Sequence, residues 1–106
     1  MAENVTDDNF SYLVLSNKLP VVVLFHAKTW SGPCRMISPL IDQLAEEYSG
    51  RITCFKLGTS KNPQLAANYS IRSVPVVQIF KCGCADETII GAVSYGALRA
   101  TLEKVL

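Results

Sequence analysis

The sequence has no long hydrophobic run. Its longest, residues 21–25, falls far short of the roughly 20 apolar residues that a helix needs to cross a bilayer. The N-terminus does not show the basic and then apolar layout of a secretory signal. An excess of charge of one sign is also lacking: ten Lys and Arg stand against nine Asp and Glu, for a net charge of +1. That is too little to mark nucleic acid or a charged membrane surface as a partner. Linkers, internal repeats and low-complexity tracts are missing as well. These absences predict a soluble chain, mature or trimmed, whose partners are recognised by shape and local chemistry.

What is present fits one compact unit. The 106 residues are 49% hydrophobic and 18% charged, enough for a single core and too apolar for a disordered chain. Residues 1–106 are therefore read as one domain. Cysteines stand at 34, 54, 82 and 84, and the intervals between them carry complete strand and helix patterns. A core can form without disulfide staples, which favours a reducing compartment.

Periodicity supplies the elements. Thr6 followed by Asp7 and Asp8, with Phe10, Leu13 and Val14 at helical spacing, predicts an N-capped helix to about Asn17. Pro20 then opens a β-branched run at 21–25, of the kind that forms a central strand buried on both faces. Met36, Ile37, Leu40, Ile41, Leu44, Ala45 and Tyr48 predict a second helix that ends at Gly50, with a kink at Pro39. A strand at 52–57 completes a right-handed parallel βαβ unit. Asn62-Pro63 starts a short helix to about Tyr69. Strands at 74–80 and 88–93 form an antiparallel hairpin with Gly83 in its turn, and Ser94 caps a last helix that turns Leu98, Leu102 and Val105 inward. The sum is an α/β fold, a central mixed sheet flanked by helices on both faces.

The chemistry concentrates in "HAKTWSGPCR", residues 26–35. A second Cys at position 31 would make a Cys-x-x-Cys redox motif at a helix start. Ser31 stands there instead, and only Cys34 remains. A second sulfur pattern, Cys82-Gly83-Cys84, falls at the hairpin turn. Two sulfurs so close can form a strained disulfide, act as a secondary redox pair, give two ligands to a soft metal, or be tolerated turn residues. No Cys or His pair stands near them in sequence to complete a zinc site, and no metal is expected. Cys54, within a strand, reads as core.

The order of elements, WSGPC at the start of the second helix, Val74-Pro75 opening a strand and Gly91-Ala92 in the final strand resemble the thioredoxin family over nearly the whole chain. The stretches "RMISPLIDQLAEEYSG", "NYSIRSVPVVQIFK" and "IIGAV" are most similar to plastid m-type thioredoxins. The resemblance implies a thioredoxin fold, with residues 1–5 supplying a stub of an additional first strand. It also implies thiol-disulfide exchange, in which the first motif Cys attacks a target disulfide and the second resolves the mixed disulfide. Ser31 occupies the attacking position and Cys34 the resolving one, so ordinary dithiol exchange is expected to be disabled. A serine hydroxyl is not ionised near neutrality and forms no mixed disulfide. It is an excellent helix cap, and either capping or another role can account for it. Cys34 is a buried small hydrophobe or else a slow monothiol, a metal ligand or a glutathionylation site.

Two more departures from the family bear on the same step. Leu24 takes the place of a buried Asp that assists proton transfer at the resolving thiol. His26 takes the place of an aromatic residue, either as a group titrating near neutrality beside Cys34 or as a strand-end residue with solvent or backbone partners. Lys56 matches a lysine beside that Asp, and must find another partner or reach water. The resemblance implies that the substrate platform is kept: Trp30, Gly32 and Pro33 in an exposed loop, Val74 before Pro75, and Gly91 and Ala92 at the third edge of the groove. It also implies a cis Val74-Pro75 bond, while the residues alone are explained equally by a strand-opening proline. The resemblance implies target proteins bound as extended segments, a thioredoxin reductase as partner, no cofactor, a monomer, and the chloroplast stroma as location, with any transit peptide already absent; the alternative location is the cytoplasm. Alternative functions are a redox-silent binding module using the peptide groove and an unconventional monothiol or Cys82/Cys84 oxidoreductase.

Overall fold

The computed structural model describes residues 3–27 and 32–106. Five strands form one sheet in the order β1-β3-β2-β4-β5. They are β1 (Glu3–Asn4), β2 (Val21–His26), β3 (Thr53–Gly58), β4 (Val76–Lys81) and β5 (Cys84–Ile90). Among the described residues three α-helices accompany them, α1 (Gly32–Glu47), α2 (Pro63–Asn68) and α3 (Tyr95–Val105). β2 runs parallel to β3 and antiparallel to β4, which makes the sheet mixed and places β2 at its centre.

The β-branched run explains that position, since every residue of β2 is buried. Alternate side chains enter opposite layers. Val22 and Leu24 join Ile37, Ile41 and Leu44 of α1 and Leu98, Leu102 and Val105 of α3. Val21, Val23 and Phe25 join Val5, Phe10, Val14, Leu65 and Phe80 on the other face. In that second layer the Phe10 and Tyr69 rings both meet Phe80 edge-on, at centroid distances of 5.6 and 5.4 Å. Helices thus cover both faces, as the sequence pattern requires. Pro39 lies inside α1, and Gly50, at φ +84°, follows the end of that helix.

Several boundaries and caps differ from the sequence reading. The first helix is a turn followed by a π-helix, Ser11–Leu15, closed by a Ser16 N–H to Ser11 carbonyl bond of 3.0 Å. Its expected acidic first turn is used elsewhere. Asp7 accepts the Leu65 N–H at 3.2 Å, and its own N–H donates to Asn62 Oδ1 at 2.9 Å. The cap of α2 therefore also differs: Asn62 makes no side-chain bond to the helix it precedes, and its Nδ2 donates to the Gly58 carbonyl at 2.9 Å. Asp7 satisfies one orphan N–H of that helix across the fold. Pro63 sits at the first helical position as expected.

The hairpin is tighter than expected. β5 begins at Cys84 rather than at 88, and the turn is Cys82-Gly83 alone, at φ +54° and +82°. Positive φ at both central residues matches the twist of a two-residue hairpin. Ala85, Asp86 and Glu87 have little intrinsic strand preference, yet the pairing of Ala85 with Phe80 and of Glu87 with Ile79, around a register shift at Asp86, draws them into the edge strand. At the other end β5 stops at Ile90, so Gly91 and Ala92 lie beyond the strand, with Gly91 at φ +89°. β4 begins at Val76, two residues after Val74. β1 is the expected stub, pairing Glu3 and Asn4 with Phe55 and Lys56. Ser94 caps α3 as expected, its Oγ accepting the Ala97 N–H at 3.2 Å.

A Cβ added at Gly83 would lie 3.1 Å from the Leu15 carbonyl oxygen, and the backbone there is left-handed. Gly83→Ala is expected to lower stability by about 1–2 kcal/mol, read as a lower urea midpoint with an unchanged slope.

Candidate functional site

β2 and β3 are parallel, so their carboxyl ends lie together at His26 and Gly58. In open α/β sheets the crevice outside such ends is where chemistry gathers. The chain leaves β2 there and enters α1 at Gly32. Cys34, in the first turn of α1, is completely buried. Trp30 and Ser31 lie outside the described residues. Gly32 and Pro33 are described only as the opening of α1.

The antiparallel register brings the start of β4 to the same end, with Val76 opposite Phe25 and Ile90 opposite Val76. The Val74-Pro75 peptide is cis, and the Pro75 carbonyl accepts the Gly91 N–H at 2.9 Å. Pro75 and Gly91 are therefore held in contact, with Val74 half-buried and Ala92 exposed beside them. Two large apolar side chains near these positions in the chain face water, Met36 at 69% exposure and Ile90 at 71%. Periodicity alone assigns Met36 to the inner face of its helix, whereas α1 turns it outward.

Leu24 is completely buried and packs in the layer shared with α1 and α3. Lys56 is its register partner on β3. The Lys56 amine does find another partner, Asp42 of α1, at 3.0 and 3.1 Å to its two carboxylate oxygens. The sequence reading did not single out Asp42. Its available signal is position, since it stands between the inward-facing Ile41 and Leu44 and is the first acidic residue of the helix.

His26 is a buried strand-end residue. Its Nδ1 lies 2.9 Å from the Ala27 carbonyl oxygen, and its own carbonyl accepts both the N–H and the hydroxyl of Thr59, at 2.9 and 3.1 Å. Burial pushes the imidazole pKa down, the Ala27 carbonyl opposes this, and the nearby Lys56 charge pushes it down further. The net effect favours the neutral ring. Cys54 is buried, and its thiol is pushed up to about 12 by burial, with the Asp42 charge adding to the effect. It stays protonated and inert. Cys82 and Cys84 are exposed free thiols. No cluster of three or more His, Cys, Asp or Glu suited to a metal occurs among the described residues, and no helix among them is long and apolar enough to cross a membrane.

A helix that leaves the central strand of a mixed sheet and buries a thiol in its first turn, with a cis proline entering the neighbouring strand, is the framework of a thiol-disulfide oxidoreductase. The comparisons with known proteins narrow that class. The family described as Thioredoxin matches residues 1–104. A thioredoxin of Pyropia yezoensis is 49% identical over 102 residues, covering 96% of this chain and 94% of the relative. The M-type chloroplastic thioredoxin of Chlamydomonas reinhardtii is 46% identical over 102 residues, covering 96% of this chain and 72% of the relative. Thioredoxin 1 of a Nostoc species is 46% identical over 105 residues, covering 99% and 97%. The chain belongs to the thioredoxin family.

Proposed function

We propose that this chain is a thioredoxin-type disulfide oxidoreductase whose two-thiol exchange is disabled in its present sequence, while its target-docking face is kept. The observation that carries the reading is chemical: position 31 holds a hydroxyl, and the one sulfur of the motif, on Cys34, has no solvent exposure. Exchange begins with a thiolate attacking a disulfide sulfur. Ser31 cannot supply one, and burial shields Cys34 from a target disulfide.

Docking rests on other groups. Val74 and Pro75, the latter bonded through its carbonyl to the Gly91 N–H, together with Ala92, would present backbone to an extended target segment, and Trp30, Gly32 and Pro33 would complete the contact. A thioredoxin reductase would serve as the electron source once an attacking thiol is present, and the chain would act as a monomer. Kinship with M-type chloroplastic relatives supports a place in the chloroplast stroma.

The test is insulin-disulfide reduction driven by dithiothreitol. With the Cys82→Ser/Cys84→Ser form of this chain added at micromolar concentration, the rate is expected to equal that of dithiothreitol alone. Acceleration by that form of the kind a dithiol thioredoxin gives would overturn the proposal.

A further inference from the structure

The sulfur chemistry missing from the motif is available at the opposite end of the sheet. Val21 pairs with Phe80 and Phe25 with Val76, so the β4–β5 turn lies where β2 begins, while α1 starts from the end where β2 finishes. Cys82 and Cys84 are both exposed at that turn and both carry free thiols. We infer that Cys82 and Cys84 form a second dithiol site, which closes reversibly into an intramolecular disulfide by exchange with a low-molecular-weight disulfide of the glutathione class.

The geometry supports closure. Two Cα atoms separated by one residue stand at most about 7.6 Å apart. A curled residue between them, here Gly83 at φ +82°, brings that separation toward the roughly 4.4–6.8 Å that disulfides span. Gly is also the residue that best tolerates the adjustment of a small ring. Turn preference does not explain Cys82, because its left-handed conformation at φ +54° favours Asn, Asp or Gly. The turn is seated as well: the site of a Gly83 Cβ lies 3.1 Å from the Leu15 carbonyl oxygen. Cys84 is near enough to Tyr69 that its charge adds to the burial that raises the Tyr69 phenol pKa. The pair is thus part of the folded surface.

The exchange proceeds in two displacements. One cysteine thiolate attacks a sulfur of glutathione disulfide, forming a mixed disulfide and expelling one glutathione thiolate. The second cysteine, as its thiolate, then attacks the protein sulfur of that mixed disulfide and expels the other glutathione thiolate. The protein loses two electrons and two protons, and glutathione disulfide gains them to become two thiols. Because the second attack is intramolecular, the mixed disulfide is short-lived. Reduced glutathione runs the sequence backwards.

The full reduced chain, incubated with glutathione disulfide near pH 8 and quenched with acid, is expected to give a product lighter by two hydrogens. Peptide mapping should place the link between Cys82 and Cys84, and reduced glutathione should remove it. Cys82→Ser should instead hold one glutathione at Cys84, for at least about ten times as long as any adduct persists on the unsubstituted chain. Cys84→Ser provides the same test at Cys82 should the first variant fold poorly. Persistent glutathione on both cysteines of the unsubstituted chain, a disulfide-linked dimer, or thiols that remain unreacted would each overturn the inference. None of these readouts involves Ser31 or Cys34, so they stand apart from the insulin assay.

Discussion

Ser31→Cys is expected to raise insulin-disulfide reduction at least about tenfold over the dithiothreitol background. The substitution puts a thiol immediately before Gly32, where α1 starts. The first-turn N–H groups of a helix have no partners within it, and together with the helix dipole they stabilise an anion at that end. A thiol with an ordinary pKa of about 8.5 is ionised to a few per cent at pH 7, and one lowered to about 7 is half ionised. Attack on a target disulfide then becomes possible, and Cys34, three residues on, can resolve the product. Cys34 and Leu24 are both buried, and the family resemblance implies a carboxylate at position 24 to handle the proton of the resolving thiol. Release should therefore lag behind attack, and acid quenching should trap more target-linked protein than a dithiol thioredoxin accumulates. A rate that stays at background in a variant that is folded and titrates with one additional accessible thiol would refute the assignment of position 31.

The parts of the fold that could be read from sequence are those written in short-range pattern. The run of valines before Leu24 announced a buried central strand, and the 3.6-residue rhythm through Ile37, Ile41 and Leu44 announced the helix beside it. Ser94 preceding the Leu98, Leu102, Val105 pattern was enough to place the cap of α3. The misreadings came where a residue's partner is remote. Asp7 reads as a first-turn acid of its own helix, yet it caps α2 across 58 positions of sequence. Asp42 is 14 positions from Lys56, and nothing local marks the pair. The start of β5 is not legible because Ala85 and Glu87 become strand only through pairing with Phe80 and Ile79 of β4, across a register shift at Asp86.

The same distinction holds at the candidate site. The motif residues are contiguous and legible as a set, and Val74-Pro75 stood out by its dipeptide. The bond that joins Pro75 to Gly91 depends on the register of two strands, which sequence periodicity leaves open. His26 is the clearest case of context deciding chemistry. Its sequence position allows a group titrating near neutrality, whereas burial and the neighbouring Lys56 charge move the imidazole pKa down from its ordinary value.

Placing a carboxylate at position 24 is expected to be costly. Leu24 has no solvent exposure and packs among Ile37, Ile41 and Leu98, so Leu24→Asp removes apolar contacts worth about 2–5 kcal/mol and places an ionisable group in the layer they vacate. Burial raises a carboxyl pKa, by as much as about 3–5 units when complete. The Lys56 ammonium, on the paired position of β3, opposes that rise, but it is already engaged by Asp42 at 3.0 Å. The net expectation is a folded-state pKa above the unfolded value of about 3.9. The sign follows from linkage: a group whose folded pKa is raised favours folding most below its unfolded pKa, and that contribution is lost as pH rises through the folded value. Urea unfolding of Leu24→Asp should therefore show the smallest deficit relative to the unsubstituted chain near pH 4 and a larger one at pH 8. Leu24→Asn, of similar shape and without a titrating proton, should show a deficit that does not change over that range. A Leu24→Asp deficit that shrinks as pH rises would mean that Lys56 leaves Asp42 for the new carboxylate, and that Leu24 occupies a position still electrostatically arranged for an acid.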